Sequence, residues 1–298
     1  MIRPLRKLAT FFGIALLFWA ASGPAGAATP RETEKSTAVQ ALILAAEMQG
    51  VLLRGITSAF TCAFLGQSRE ETGFYADLEL FGAKARQLRP LIEIDRPNSK
   101  KKTKYYNKLI SQYSDIKSLG DGLLEGYAKS GKVDRSLALK LRRAANRVTY
   151  RTHELLRFCA EDIDFSSLNP VQRRHYVEGM LIMKMYSNLM GAVKEAFADQ
   201  LTGDDDPAVG YWHSLGEFDI HAAMYRGLVD FSLPENKTKA RLFGRLLKSK
   251  HDILIKGEAM YLMVERTARP CLEEAKVLQE AVAEVEPIFQ ALWKETIK

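Results

Sequence analysis

Apolar residues recur along this chain at intervals of three and four, and almost nowhere in the alternation that marks a half-buried strand. The first course runs Ala41, Leu44-Ala45, Met48, Leu52, Ile56, Ala59 and Ala63. A later one runs Val177, Leu181, Met185, Leu189, Val193, Phe197 and Leu201. Each predicts a long helix with one face turned to a core. Shorter stripes follow each, Leu78, Phe81, Ala85, Leu88, Leu91 and then Leu215, Phe218, Ala222, Tyr225, Leu228, and they place second helices over 72–94 and 209–231. Third helices are expected over 103–129 and 240–265, and fourth helices over 135–160 and 270–296.

The same punctuation separates the helices in both halves. Asn169-Pro170-Val171-Gln172 reads as a cap, a first-turn proline and a reciprocal Gln, and Thr29-Pro30-Arg31-Glu32 offers the same chemistry earlier. Gly66 and Gly203 stand where the first helices should stop. Gly131-Lys132-Val133-Asp134 reads as a stop followed by a new cap, and Pro97 and Pro234 close the second helices.

These parallels come from one ungapped shift. Residues 36–160 moved by 137 positions fall on 173–297 with 24 identities in 125 positions, against roughly 6% by chance at ordinary composition. Met48 meets Met185, Ala59-Phe60 meets Ala196-Phe197, Gly120 meets Gly257 and Val148 meets Val285. One shift that serves helices and turns alike implies duplication of a folding unit. The expected fold is therefore all-α: two tandem four-helix up-down-up-down bundles, 28–162 and 169–298, joined by the polar connector 161–169.

The ends and the composition narrow the setting. Arg3, Arg6 and Lys7 precede the apolar run Leu8 to Ala21 and the small residues Ala25-Gly26-Ala27. Residues 1–27 thus read as a signal peptide cleaved after Ala27, leaving a periplasmic or secreted chain with no later membrane-spanning helix. Of the formal charge of +7, the leader carries +3, and a balance of about +4 on the rest argues against a nucleic-acid partner. The densest basic run, Lys100-Lys101-Lys102-Thr103-Lys104, is expected in a solvated interhelical loop. Three cysteines, Cys62, Cys159 and Cys271, allow at most one bridge and make no disulfide framework.

Candidate chemistry is sparse. A metal centre in a bundle needs facing Glu-x-x-His pairs, and none occurs; Glu217 and His221 share a helical face without a partner pair. There is no Cys-x-x-Cys-His, no phosphate loop and no nucleophile elbow, so no enzyme, cofactor or metal site is expected. Gly203-Asp204-Asp205-Asp206-Pro207 lacks the alternating ligands of a calcium loop and reads as a solvated turn. Arg54 is the exception, a charge inside Met48-Gln49-Gly50-Val51-Leu52-Leu53-Arg54-Gly55-Ile56. It points off the main stripe, toward the face of Glu47, Val51 and Ser58, where a neighbouring helix or a second subunit would lie. Its fork suits a planar oxyanion, and an ion pair with Glu47 is the alternative.

The stretch Ala45-Ala46-Glu47-Met48-Gln49-Gly50-Val51-Leu52-Leu53-Arg54 resembles the Ala-Gly-x-x-Arg-Met-x-Ser-x-Arg pattern of a sensory family. That family is the exported four-helix N-terminal domain of type IV pilus chemotaxis transducers and nitrate/nitrite sensors (PilJ/NarX-type). Ala45 and Arg54 match, while Gln49 stands at the family's anion-contacting arginine, so nitrate or nitrite is not implied. Phe218-Asp219 and Tyr225-Arg226-Gly227-Leu228 are similar to the family's second-helix rhythm. The resemblance implies a sensory or ligand-binding module without its own output domain. Gln49 and Arg54 are the candidate ligand-binding residues. A small anionic ligand, a membrane sensor or receptor, and a homodimer through the first helices are the implied partners. The competing expectation is an envelope scaffold or assembly protein that presents helical surfaces.

Overall fold

The computed structural model describes residues 32–66, 73–93, 98–203, 208–267 and 272–296. Among them the chain is all-α, with no strand. The helices are α1 (Glu32–Leu65), α2 (Phe74–Glu93), α3 (Ser99–Ser130), α4 (Arg135–Glu161), α5 (Pro170–Thr202), α6 (Ala208–Leu228), α7 (Lys237–Thr267) and α8 (Leu272–Thr296). The leader 1–27, Cys271 and the acidic turn 204–207 lie outside the described residues.

Helix ends follow the local chemistry. At the start of α5 the Asn169 side chain accepts from the Gln172 backbone N–H at 2.8 Å. The Gln172 side chain accepts in return from the Asn169 N–H at 3.1 Å, which closes a capping box. Gly131 ends α3 at φ 63°, and Asp134 caps α4 by accepting from Ser136 and Leu137. Gly66 and Gly203 end α1 and α5 at φ 71° and 61°, left-handed values that cost a side chain about 1–2 kcal/mol.

Each half is built from neighbouring helices. α1 packs on α2 and α4, and α3 on α4; α5 packs on α6 and α8, and α7 on α8. The halves do not keep separate cores. α1 and α5 lie against each other, α1 also touches α8, and α5 touches α4. Apolar residues of all eight helices belong to one buried cluster. The reason is in α1 itself: besides the stripe Met48, Leu52 and Ile56, its other faces carry Leu42, Ala46, Leu53 and Phe60, all buried. A helix apolar nearly all round must be covered on every side, and each large side chain buried there contributes about 1.5–3 kcal/mol. From Ala41 to Leu65 no residue of α1 is exposed. A homodimer through this helix would have to displace α5. By length and composition Thr37–Leu65 could cross a membrane, but 72% of its apolar window is buried against these helices.

The connector between the halves is docked. Ile163 and Leu168, at its two ends, are buried in the shared core. The lysine run departs from its expected loop. Residues 99–104 form the first turns of α3, Lys102 is only 2% exposed, and its ammonium is ion-paired with Asp162. Asn98 donates to the same carboxylate at 3.0 Å. Asp162 thus offsets a cation held at the positive end of a helix. Lys239, 137 positions on, is buried likewise and pairs with Glu178 at 2.5 Å.

Two close approaches lock the second helices. The ring of Phe74 sits where a Cβ on Gly120 would be, and the ring of Tyr211 where a Cβ on Gly257 would be. Both rings are fully buried, and the Tyr211 hydroxyl donates to the Ile253 carbonyl at 2.8 Å. Only glycine lets the rings come this close to the backbones of α3 and α7.

Candidate functional site

Arg54 is half-buried where α1 meets α2, α5 and α8. Its Nε donates to Asp77 Oδ1 at 2.8 Å, and its Nη2 pairs with the same oxygen. Its Nη1 pairs with Glu286 Oε1 at 2.5 Å and lies 3.5 Å from the Tyr186 hydroxyl, which itself donates to Glu286. The alternative expectation of a pair with Glu47 is not met: Glu47 pairs with Lys84 of α2 at 2.6 Å. Three helices, α1, α2 and α8, therefore gather one cation and two carboxylates.

Electrostatics follow from burial and contact. Burial opposes the charge of Arg54, but its bonds to Asp77 and Glu286 outweigh that and hold the guanidinium firmly protonated. Burial pushes the Asp77 carboxyl up, and the bonds from Arg54 only partly compensate. Glu286 is buried too, yet the bonds from Arg54 and Tyr186 carry it below the usual carboxylate range. The cluster holds a formal charge of −1 when both acids are ionised.

Gln49 is buried, at 7% exposure, and takes no part in these ion pairs. It stands five residues before Arg54, on another face of α1. The structure therefore does not bring the two expected site residues into one constellation. At Gly50 the Tyr186 ring of α5 presses on the backbone of α1, since a Cβ there would lie 2.8 Å from the ring.

Beside Arg54 lies a cavity of about 90 Å³. Arg54, Thr57, Ser58 and Thr61 of α1, Gly73 before α2, Met190, Val193 and Phe197 of α5, and Gln279 and Val282 of α8 line it. Its walls thus come from both halves. The Thr57 hydroxyl lies 2.8 Å from the Leu53 carbonyl and 3.3 Å from the Met190 carbonyl, bridging α1 to α5.

The positions 137 residues away from this lining carry a second polar cluster. Thr57, Ser58 and Gln279 correspond to Lys194, Glu195 and Arg142. There Arg142 of α4 reaches Glu195 Oε2 at 2.9 Å and Asp199 Oδ1 at 2.6 Å. Lys194 pairs with Glu195 at 2.5 Å and donates to Asn146 at 2.7 Å, and Tyr261 of α7 donates to Asp199 at 2.7 Å. The carbons of Glu195 press on Gly210, as Ser58 Oγ stands 3.5 Å from a Cβ on Gly73. Glu195 is buried, but Lys194 and Arg142 hold its carboxyl below the usual range. This cluster is charge-balanced, and its longer side chains stand where the other site has Thr57, Ser58 and Gln279.

Sequence reasoning found Arg54 and missed Asp77, Tyr186 and Glu286, and the whole of the Arg142 cluster. A signal existed for part of it. Lys194, Glu195 and Asp199 fall within the course Val193, Phe197, Leu201, and they stand 137 positions from Thr57, Ser58 and Cys62.

Other chemistry does not assemble. Among the described residues no group of three or more His, Cys, Asp or Glu side chains is placed to hold a metal ion. His221 is buried, with Nδ1 2.6 Å from the Glu217 carbonyl and 3.1 Å from Asn188, and burial lowers its pKa. Cys62 and Cys159 are buried thiols, and burial pushes Cys159 up to about 12. The chain matches no protein-family model, no curated protein and no solved structure at a significant level.

Proposed function

We propose that the chain is an exported sensory or ligand-binding module that holds a small polar ligand at the seam between α1 and α5. The observation that carries this is the cavity beside Arg54, which is left open where the positions related by the 137-residue shift carry longer side chains. The resemblance to the exported sensory domains supports it, since their ligand lies between two first helices. Here α1 and α5, the first helices of the two halves, meet within one chain. A ligand that touches both helices would bias their packing by its difference in affinity between two arrangements. Binding is preferred to catalysis because the charged groups of both clusters are tied in ion pairs with one another.

The test is thermal denaturation of the purified protein against panels of small polar compounds, with a cavity-filling variant, Ser58→Leu, as control. Saturable stabilisation that the variant loses is expected. A flat response to every compound would remove this reading.

One observation favours the scaffold alternative. On α6 the side chains of Val209, Trp212 and Ile220 fall on one face and are 60%, 41% and 45% exposed. Such a stripe suits docking on a membrane sensor or an assembly partner. Co-purification from envelope extracts that Trp212→Glu abolishes would shift weight to that role.

A further inference from the structure

We infer that the seam cavity takes a small neutral hydrogen-bonding molecule, of the amide or urea class, in preference to an oxyanion. This rests on the ligand-binding reading above and names the chemistry of the same site. Among the described residues Arg54 is the one charged side chain in the lining, and it would ordinarily suggest an anion. Its fork is largely engaged: Nε and one N–H of Nη2 go to Asp77, and Nη1 goes to Glu286 and Tyr186, so a planar oxyanion finds no pair of N–H groups to grip. Two carboxylates against one guanidinium leave the surroundings with an excess negative charge, which repels an incoming oxyanion. To bind Arg54 with two N–H groups at once, an anion would have to expel Asp77 or Glu286 and leave that carboxylate without its cation, an unfavourable exchange at a half-buried site.

The rest of the lining offers hydroxyls, an amide and apolar walls. Thr57, Ser58 and Thr61 line one side, Gln279 lies across from them, and Val193 and Phe197 close the apolar side. Hydroxyls both donate and accept, as does an amide, so their complement is a ligand that does both. Size sets a second limit. A cavity of about 150 Å³ holds a six-carbon ring, so 90 Å³ admits a molecule of about four heavy atoms. The contact so few atoms can make limits the dissociation constant to about tens of micromolar or weaker.

The experiment titrates the purified protein with acetamide and urea, with nitrate, acetate and phosphate, and with methylammonium, each up to about 10 mM at constant ionic strength. Melting temperature and heteronuclear NMR shifts are the readouts. Saturable shifts with the amides and none with the anions are expected, with affinity falling at least tenfold in Ser58→Leu. Val282→Phe fills the cavity from the opposite wall and should weaken binding in the same way, so the result survives if one variant fails to fold. Saturation by nitrate, acetate or phosphate, lost in the filled variants, would overturn the ligand class and leave the ligand-binding reading standing. The same would hold for methylammonium alone. Saturation by none of the six would overturn both.

Discussion

Two sites related by the 137-residue shift, one beside Arg54 and one around Arg142, solve one problem in opposite ways. Around Arg142, two cations and two carboxylates from α4 and α5 balance and tie in Tyr261 from α7. Around Arg54, one cation faces two carboxylates, and Ser58 and Gln279 leave room where the other site has Glu195 and Arg142. A shared helical plan thus tolerates either a packed ionic cluster or a cavity at matching places. The plan is held by apolar and glycine positions that both halves keep, such as Gly120 and Gly257. The polar residues are free to diverge because they carry little of the folding energy while they stay paired.

The comparison breaks most visibly if the Arg142 site is opened. Arg142→Ala strands Glu195 and Asp199, whose side chains are 8% and 0% exposed, and should cost about 3–5 kcal/mol by urea denaturation. Arg54→Ala, with partners at 8% and 28%, should cost less, about 1–3 kcal/mol. Equal losses would show that the two sites carry equal weight. Where the halves agree, their mutants should agree in kind: Gly120→Ala and Gly257→Ala force Phe74 and Tyr211 out of place, at about 1–3 kcal/mol each. Gly257→Ala should be the worse of the two, because Tyr211 is also held by its hydroxyl.

Transplanting the ionic filling sharpens the comparison further. Ser58→Glu alone adds a third carboxylate beside Arg54 and should destabilise. Ser58→Glu with Gln279→Arg restores the arrangement of the other site, and a double-mutant cycle should show a favourable coupling of about 1 kcal/mol. The absence of coupling would mean that the two sites differ in backbone geometry and not only in side chains.

The smallest effect is in pH dependence, and its sign differs between the sites. The pKa of Glu195 is depressed, so its stabilisation is present above the ordinary carboxylate value of 4.5 and fades as pH falls through the folded value. The penalty of Glu195→Gln should therefore shrink between pH 6 and pH 3. The pKa of Asp77 is raised above its ordinary 3.8, so its contribution grows in acid and is lost as pH rises through the folded value. The penalty of Asp77→Asn should grow as pH falls. Melting curves at four pH values would separate the two slopes, and parallel slopes would contradict the assignment.

Much of the fold was legible in the residue pattern. The fourth helix was expected over 135–160 and spans Arg135–Glu161; the Asn169 box and the stops at Gly66, Gly131 and Gly203 form as their chemistry demands. The lysine run was misread because a local pattern shows four exposed-looking cations, while only tertiary packing brings Asp162 to Lys102. Arg54 stood out because it interrupted an apolar stretch. Its partners did not, because Asp77 and Glu286 look like ordinary solvated acids in the amphipathic patterns of their own helices.

Sequence alone determined the all-α class, most of the helix limits and the parallel between residues 36–160 and 173–297, because these rest on short-range periodicity, capping and identity at a constant shift. Tertiary structure decided that α1 and α5 meet, that one core serves both halves, and that a cavity stands at one of two related sites and an ionic cluster at the other. Those outcomes depend on which faces of distant helices come together. Contacts between residues more than a hundred positions apart, such as Arg54 with Glu286 and Thr57 with Met190, leave no periodic trace in the chain.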